Sequence, residues 1–130
     1  MAAHELESVM LYIHPGIAIA GHVFVFIYTW LLLAGKERRK VEFMGAVAWV
    51  LVLAGLVTGM IWAQWAWGTY WSWDPKENLT LILFITVCAA LGAYFEKMEK
   101  WAKRLAVLSC AVAIVTMLTS VIMQGLHSFL

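Results

Sequence analysis

The sequence predicts an all-α membrane protein, a bundle of four transmembrane helices. The first observation is composition: 64% of the residues are hydrophobic and 13% are charged, which is outside the usual range of soluble proteins. The second is four apolar runs of about 20 residues each, the length that a helix needs to cross a hydrocarbon core about 30 Å thick. The third is that the connections are short, which makes successive helices antiparallel neighbours. We therefore expect one membrane domain over residues 1–130.

The four apolar runs define the predicted spans in chain order. The segment before the first run contains no Lys or Arg from Met1 to Tyr12, so it lacks the basic region of a cleavable signal peptide. The second run contains Gly55-Leu-Val-Thr-Gly59, a GxxxG pattern that allows close helix approach. We expect it to serve packing, with dimerisation as the alternative. The runs cover residues 15–34, 43–63, 75–95 and 104–124.

The third run opens with a helix-start signal. Asp74 is expected as the N-cap, Pro75 as the first helical residue and Glu77 as the acidic third residue of a capping box. This role competes with a functional one for the same residues. Cys88 and Cys110 fall inside the third and fourth runs, where they are expected to pack between helices. They form no CxxCH motif, which excludes a covalent c-type cytochrome.

The basic residues predict the orientation. Eight of the nine lie in or beside the first and third connections, and Lys76 alone lies on the opposite side. Basic residues mark the cytoplasmic side of membrane proteins. We therefore expect a multi-pass protein of the cytoplasmic membrane, with both termini and the segment around Lys76 facing outward. The eight residues are Lys36, Arg38, Arg39, Lys40, Lys97, Lys100, Lys103 and Arg104.

An aromatic segment precedes Lys76 and has five aromatic residues in nine positions. An aromatic belt at the membrane interface would explain two or three of these, but not five in one connection. His14 and His127 lie at the same predicted end of the outer helices. Neutral imidazole is a good iron ligand, and aromatic rings cover a flat apolar ring well, so haem is the predicted cofactor. The five aromatic residues are Trp65, Trp67, Tyr70, Trp71 and Trp73.

These residues resemble a known family. Residues 67–77, Trp-Gly-Thr-Tyr-Trp-Ser-Trp-Asp-Pro-Lys-Glu, are similar to the WWD signature of the haem-handling proteins of cytochrome c maturation. The nearest form resembles the CcsA-type membrane subunit of the system II cytochrome c synthetase, with the CcmC and CcmF types as relatives. The ending Gly125-Leu-His-Ser-Phe129 and the position of Tyr12-Ile-His14 are also similar. The resemblance covers residues 10–130.

The resemblance implies a haem site on the outer face. His14 and His127 would be the axial ligands of a non-covalent, b-type haem, and the aromatic segment would form a platform for the ring. No residue has the features of a nucleophile or a general base, so we assign no catalytic residue. The platform residues are expected to be Trp65, Trp67, Gly68, Tyr70, Trp71, Trp73 and Asp74.

His22 is a further candidate metal ligand. It follows His14 by eight residues, so it lies about 12 Å further along a helix, near mid-membrane. Intramembrane histidines are functional-site hypotheses by default, and a hydrogen bond between helices is the competing explanation. The resemblance implies a second, inner histidine pair, but the position of one of them is occupied by Gly92 here.

Two functions remain open from the sequence. The first is a haem-binding protein of cytochrome c biogenesis that delivers haem to apocytochrome c, as a component of a haem lyase or synthetase rather than a complete enzyme. The second is a b-type haem subunit that transfers electrons in a membrane respiratory complex. The expected partners are haem, other membrane subunits or a cytochrome c synthetase, a c-type cytochrome and the lipid bilayer. No nucleic-acid partner is expected.

Overall fold

The computed structural model is all-helical, as predicted. It describes the backbone of residues 3–129 and the side chains of residues 13–122. Each helix is long and apolar enough to cross a membrane, so the chain is a multi-pass membrane protein. The helices are α1 (Ala3–Leu33), α2 (Arg38–Trp67), α3 (Pro75–Phe95) and α4 (Glu99–Phe129).

The helices of the first half run beyond the apolar runs. α1 continues through Pro15, where the sequence had suggested a helix start. Proline is tolerated inside membrane helices because neighbouring groups satisfy the freed carbonyl. α2 extends to Trp67, so Trp65 and Trp67 lie on its last turn. The expectation that these two residues belong to the connection was wrong. No helix breaker precedes Gly68, which ends the helix in the left-handed conformation at φ 80°.

The two basic connections use the same helix ending. After α1, Gly35 has φ 67°, and the N–H of Lys36 donates to Leu31 O at 3.0 Å. After α3, Lys97 has φ 61°, and the N–H of Met98 donates to Ala93 O at 2.8 Å. This is the Schellman pattern, in which a left-handed residue turns the chain sharply. Lys97 occupies a position that glycine adopts without strain.

Small residues let α1 and α2 approach closely. A Cβ added at Gly55 would lie 3.6 Å from Cα of Ala18, and one at Gly59 would lie 3.0 Å from Cε1 of His14. Similarly, a Cβ at Gly21 would lie 3.3 Å from a backbone nitrogen of α2. The predicted packing role of the Gly55–Gly59 pair is confirmed. These contacts place the start of α1 against the end of α2.

The buried core is concentrated at the end of the bundle that carries the basic connections. It combines the second halves of α1 and α3 with the first halves of α2 and α4, as in Tyr28, Val41, Val87 and Ala106. The cysteines contribute packing there as predicted: Cys88 Sγ accepts from the Trp49 indole at 3.1 Å, and the Cys110 thiol donates to Thr29 Oγ1 at 3.1 Å. Two cavities lie towards the opposite end, among the described residues.

Candidate functional site

His14 is held by a threonine of the neighbouring helix. Its Nδ1 lies 3.0 Å from Oγ1 of Thr58. The hydroxyl of Thr58 donates its single proton to Ala54 O at 2.8 Å, in the same helix, so towards His14 it acts as the acceptor. With that proton used within α2, the contact fits the Nδ1–H tautomer of the neutral imidazole. The lone pair is left on Nε2, the nitrogen that a metal would use.

Gly59 provides the space in which the His14 ring lies. A Cβ at this position would be 3.0 Å from Cε1 and 3.6 Å from Nε2 of the ring. The imidazole therefore packs directly against the backbone of Gly59, beside Thr58, and lines both cavities. Sequence reasoning missed Thr58 because its contact with His14 joins residues 44 positions apart. The only signal was its place inside the GxxxG pattern.

Two cavities meet at His14. The first, about 290 Å³, extends towards the aromatic segment and includes Trp62, Trp67, Trp71 and Asp74 in its wall. The second, about 470 Å³, extends into the bundle between α1 and α4, and its wall is mainly apolar. Residues of α1, α2 and α3 line both cavities: His14, Pro15, Gly55, Lys76 and Thr80.

The aromatic segment is divided between wall and surface. Trp67 and Trp71 line the first cavity, although Trp67 is itself 65% exposed. The side chains of Trp65, Tyr70 and Trp73 are 43%, 55% and 67% exposed, and none of them lines either cavity. Gly68, another predicted platform residue, ends α2 and lines neither cavity.

Trp62 is a wall residue that sequence reasoning missed. Its ring meets the ring of Trp67 edge-on, with centroids 5.7 Å apart at 84°. Its Nε1 is buried and has no hydrogen-bond partner among the described residues. The residue lies inside the second apolar run, where a tryptophan has the ordinary appearance of a lipid-facing or core residue.

The backbone of the connection is strained at Trp73. This residue has φ 61°, a conformation that is unusual for a bulky side chain. Asn78 supports it by donating its side-chain amide to Trp73 O at 3.1 Å, and the Trp71 and Trp73 rings are perpendicular, with centroids 5.5 Å apart. Strain of this kind persists where surrounding contacts hold it, and it is concentrated at functional sites.

The start of α3 confirms most of the predicted capping box. Asp74 is the N-cap, its carboxylate accepts from the backbone N–H of Glu77 at 2.8 Å, and Pro75 is the first helical residue. Glu77 differs from the expected pattern because its carboxylate accepts from the backbone N–H of Ser72 at 2.7 Å. Both carboxylates therefore serve the fold of the connection.

The other two candidate metal ligands are His22 and His127. His22 lines the second cavity, and its buried Nδ1 has no partner among the described residues. The His127 side chain lies outside the described residues. Its backbone is part of α4.

The described residues include groups of the kind that a haem site needs. Within residues 13–122 no group of three or more His, Cys, Asp or Glu side chains could hold a metal ion. A haem needs from the protein only axial ligands and apolar walls, since the porphyrin supplies the other four nitrogens. His14 offers an imidazole whose Nε2 has no hydrogen-bond partner among the described residues, and the cavity walls are mainly apolar, with Asp74, Lys76 and Glu77 as the charged groups.

Comparison with known proteins gives the family. The family described as cytochrome C assembly protein matches residues 1–128. The chain is 35% identical over 88 residues to the cytochrome c biogenesis protein CcsA of Prochlorococcus marinus (strain MIT 9303), covering 64% of this chain and 27% of that protein. It is 37% identical over 84 residues to the CcsA protein of Gloeobacter violaceus, covering 61% and 24%.

The chain thus spans about a quarter of the length of the curated relatives that it matches. A third relative, the CcsA protein of Synechococcus sp. (strain JA-3-3Ab), is 42% identical over 82 residues, 61% of this chain and 24% of that protein. No solved structure matches the chain. The match over residues 1–128 shows that the chain belongs to the cytochrome C assembly protein family.

Proposed function

We propose that this protein holds haem at the outer face of the membrane, between His14 and His127, for delivery to apocytochrome c. The observation that carries the proposal is the position of the His14 imidazole, whose Nδ1 lies 3.0 Å from Thr58 Oγ1 and whose ring lines both cavities. The family and the names of the CcsA relatives support the biogenesis role.

Each site residue has a role in the proposal. His14 and His127 are the axial ligands to iron, from α1 and α4. Trp67 and Trp71, which line the first cavity, cover the porphyrin and exclude water, and Asp74 and Gly68 fix the path of the connection. The exposed rings of Trp65, Tyr70 and Trp73 complete the platform when the ring binds. Haem, when bound, would supply the vinyl groups that react with cysteine thiols.

The membrane arrangement is part of the proposal. We propose an antiparallel bundle with both termini and the aromatic segment outside, in the cytoplasmic membrane. The contacts between Gly55 and Ala18 and between Gly59 and His14 support the antiparallel pairing of α1 and α2. The eight basic residues around the first and third connections support the orientation. The partners would be a c-type apocytochrome and other membrane subunits of the synthetase.

A haem titration of the purified full chain in detergent tests the ligands. The wild type is expected to give a low-spin spectrum of bis-imidazole type, with haem that an acidified organic solvent extracts. His14→Ala and His127→Ala should each give a high-spin spectrum or no binding, whereas His4→Ala serves as a histidine control that retains the wild-type spectrum. Wild-type spectra in both ligand variants would refute the assignment.

Deletion of the gene in its host tests the biological role. A biogenesis protein is required for the covalent attachment of haem, so c-type holocytochromes should disappear from the membranes and be restored by the wild-type gene. The His14→Ala gene should not restore them. Normal holocytochromes in the deletion strain would instead favour the b-type electron-transfer subunit.

A further inference from the structure

Lys76 is the one basic residue on its side of the bundle. The other eight Lys and Arg residues of the chain lie in or beside the first and third connections. α3 begins at Pro75 and has 21 residues, so about 30 Å of helix separates Lys76 from the cluster at its other end. Lys76 lines both cavities that meet at His14. A single cation is thus placed at the shared rim of the two cavities.

Among the described residues, the acidic neighbours of Lys76 form no ion pair with it. The carboxylate of Asp74 accepts from the backbone N–H of Glu77, and the carboxylate of Glu77 accepts from the backbone N–H of Ser72 and, at 3.3 Å, from its hydroxyl. Within residues 13–122 the only ion pair is that of Arg38 with Glu42, at the other end of α2. Within residues 13–122 the Lys76 ammonium thus has no carboxylate partner and is placed where an anion in either cavity could meet it.

We infer that Lys76 binds the propionate carboxylates of the porphyrin and so fixes which edge of the ring enters the site. This inference rests on the proposed function. The propionates occupy one edge of haem, and they carry the only charges on its periphery. Of the charged side chains that line the first cavity, only Lys76 would attract the propionates, whereas Asp74 and Glu77 would repel them. With the propionates held at the start of α3, the vinyl edge points away from it.

The test compares two ligands in one titration format. Ferric haem and its propionate dimethyl ester have the same iron and ring, but the ester lacks both negative charges. Each is titrated into the purified full chain, as wild type, Lys76→Gln and Lys76→Arg. Lys100→Gln is the matched control, because Lys100 is exposed and lies at the other end of the bundle.

Lys76→Gln should weaken haem binding about fivefold, the upper range for an exposed ion pair, and leave the affinity for the ester unchanged. Lys76→Arg and Lys100→Gln should bind both ligands as the wild type does. In the wild type, added salt should weaken the binding of haem more than that of the ester.

Three results would overturn the inference while leaving the proposed function intact. One is equal haem affinity in the wild type and Lys76→Gln, and another is an equal loss for haem and ester, which would indicate a packing defect. The third is a wild-type salt dependence that is the same for both ligands, a measurement that does not require any variant to fold. Absence of haem binding by the wild type would instead refute the proposed function itself.

Discussion

Replacing Thr58 with valine removes the acceptor that fixes the His14 ring. Valine has nearly the same shape as threonine, but the Nδ1–H of His14 loses its partner at 3.0 Å. Loss of such a partner behind a metal-binding histidine lowers metal affinity by about 10- to 100-fold. This corresponds to about 1.4–2.7 kcal/mol of binding free energy. The bond from Thr58 to Ala54 O stays within α2, so its loss should matter little for folding.

The assay is a haem titration with spectra of the oxidised and reduced forms. Thr58→Val is expected to bind more weakly and to shift the midpoint potential, because the proton on Nδ1 no longer has a fixed acceptor. Thr58→Ser keeps the hydroxyl and should restore both values. Thr80→Val is the matched control: Thr80 also lines both cavities and donates to a carbonyl of its own helix, Lys76 O, at 2.8 Å. If Thr58→Val behaves like the wild type, the proposed orientation of His14 is refuted.

The remaining predictions concern two residues of the candidate site and one residue at the other end of the bundle. Gly59→Ala should displace the His14 ring and weaken haem binding, because the new Cβ would lie 3.0 Å from Cε1 of that ring. Gly92→Ala is the control: its new Cβ would have no neighbour within 4 Å, so the haem titration should be unchanged. Lys97→Gly should raise the free energy of unfolding in detergent by about 1 kcal/mol, because glycine tolerates φ 61° without strain; an unchanged or lower value would contradict this. His22→Leu should leave the low-spin spectrum unchanged and not lower the melting temperature, because it removes a buried, unpartnered Nδ1; a high-spin spectrum would identify His22 as a ligand.

Local chemistry made much of the fold predictable. Asp74 and Pro75 predict the start of α3 because an N-cap and a first-turn proline stabilise a helix end through contacts with residues only a few positions away. The end of α2 was placed too early because the hydropathy falls after residue 63, whereas the helix continues until Gly68. Hydropathy indicates which residues can lie in the lipid and does not indicate where a helix ends. The helical hydrogen bonds of α2 continue beyond the apolar run to the cap at Gly68.

The candidate site was predictable only where residue type alone carries the chemistry. The histidines stand out because imidazole is a good iron ligand, and the tryptophans because an aromatic belt would explain only two or three of the five aromatic residues. Thr58 and Trp62 were missed because their importance comes from tertiary contacts, with His14 on another helix and with the ring of Trp67. Lys76 was noticed for its charge, but only the cavity walls connect it to His14.

The length of α2 has a consequence for access to the site. Its 30 residues rise about 45 Å, roughly 15 Å more than the hydrocarbon thickness that a helix has to cross. If Arg38 is placed at one membrane surface, the final turns of α2 would extend beyond the hydrocarbon at the other. A water-soluble polypeptide could then reach the rings of Trp65 and Trp67 without entering the bilayer.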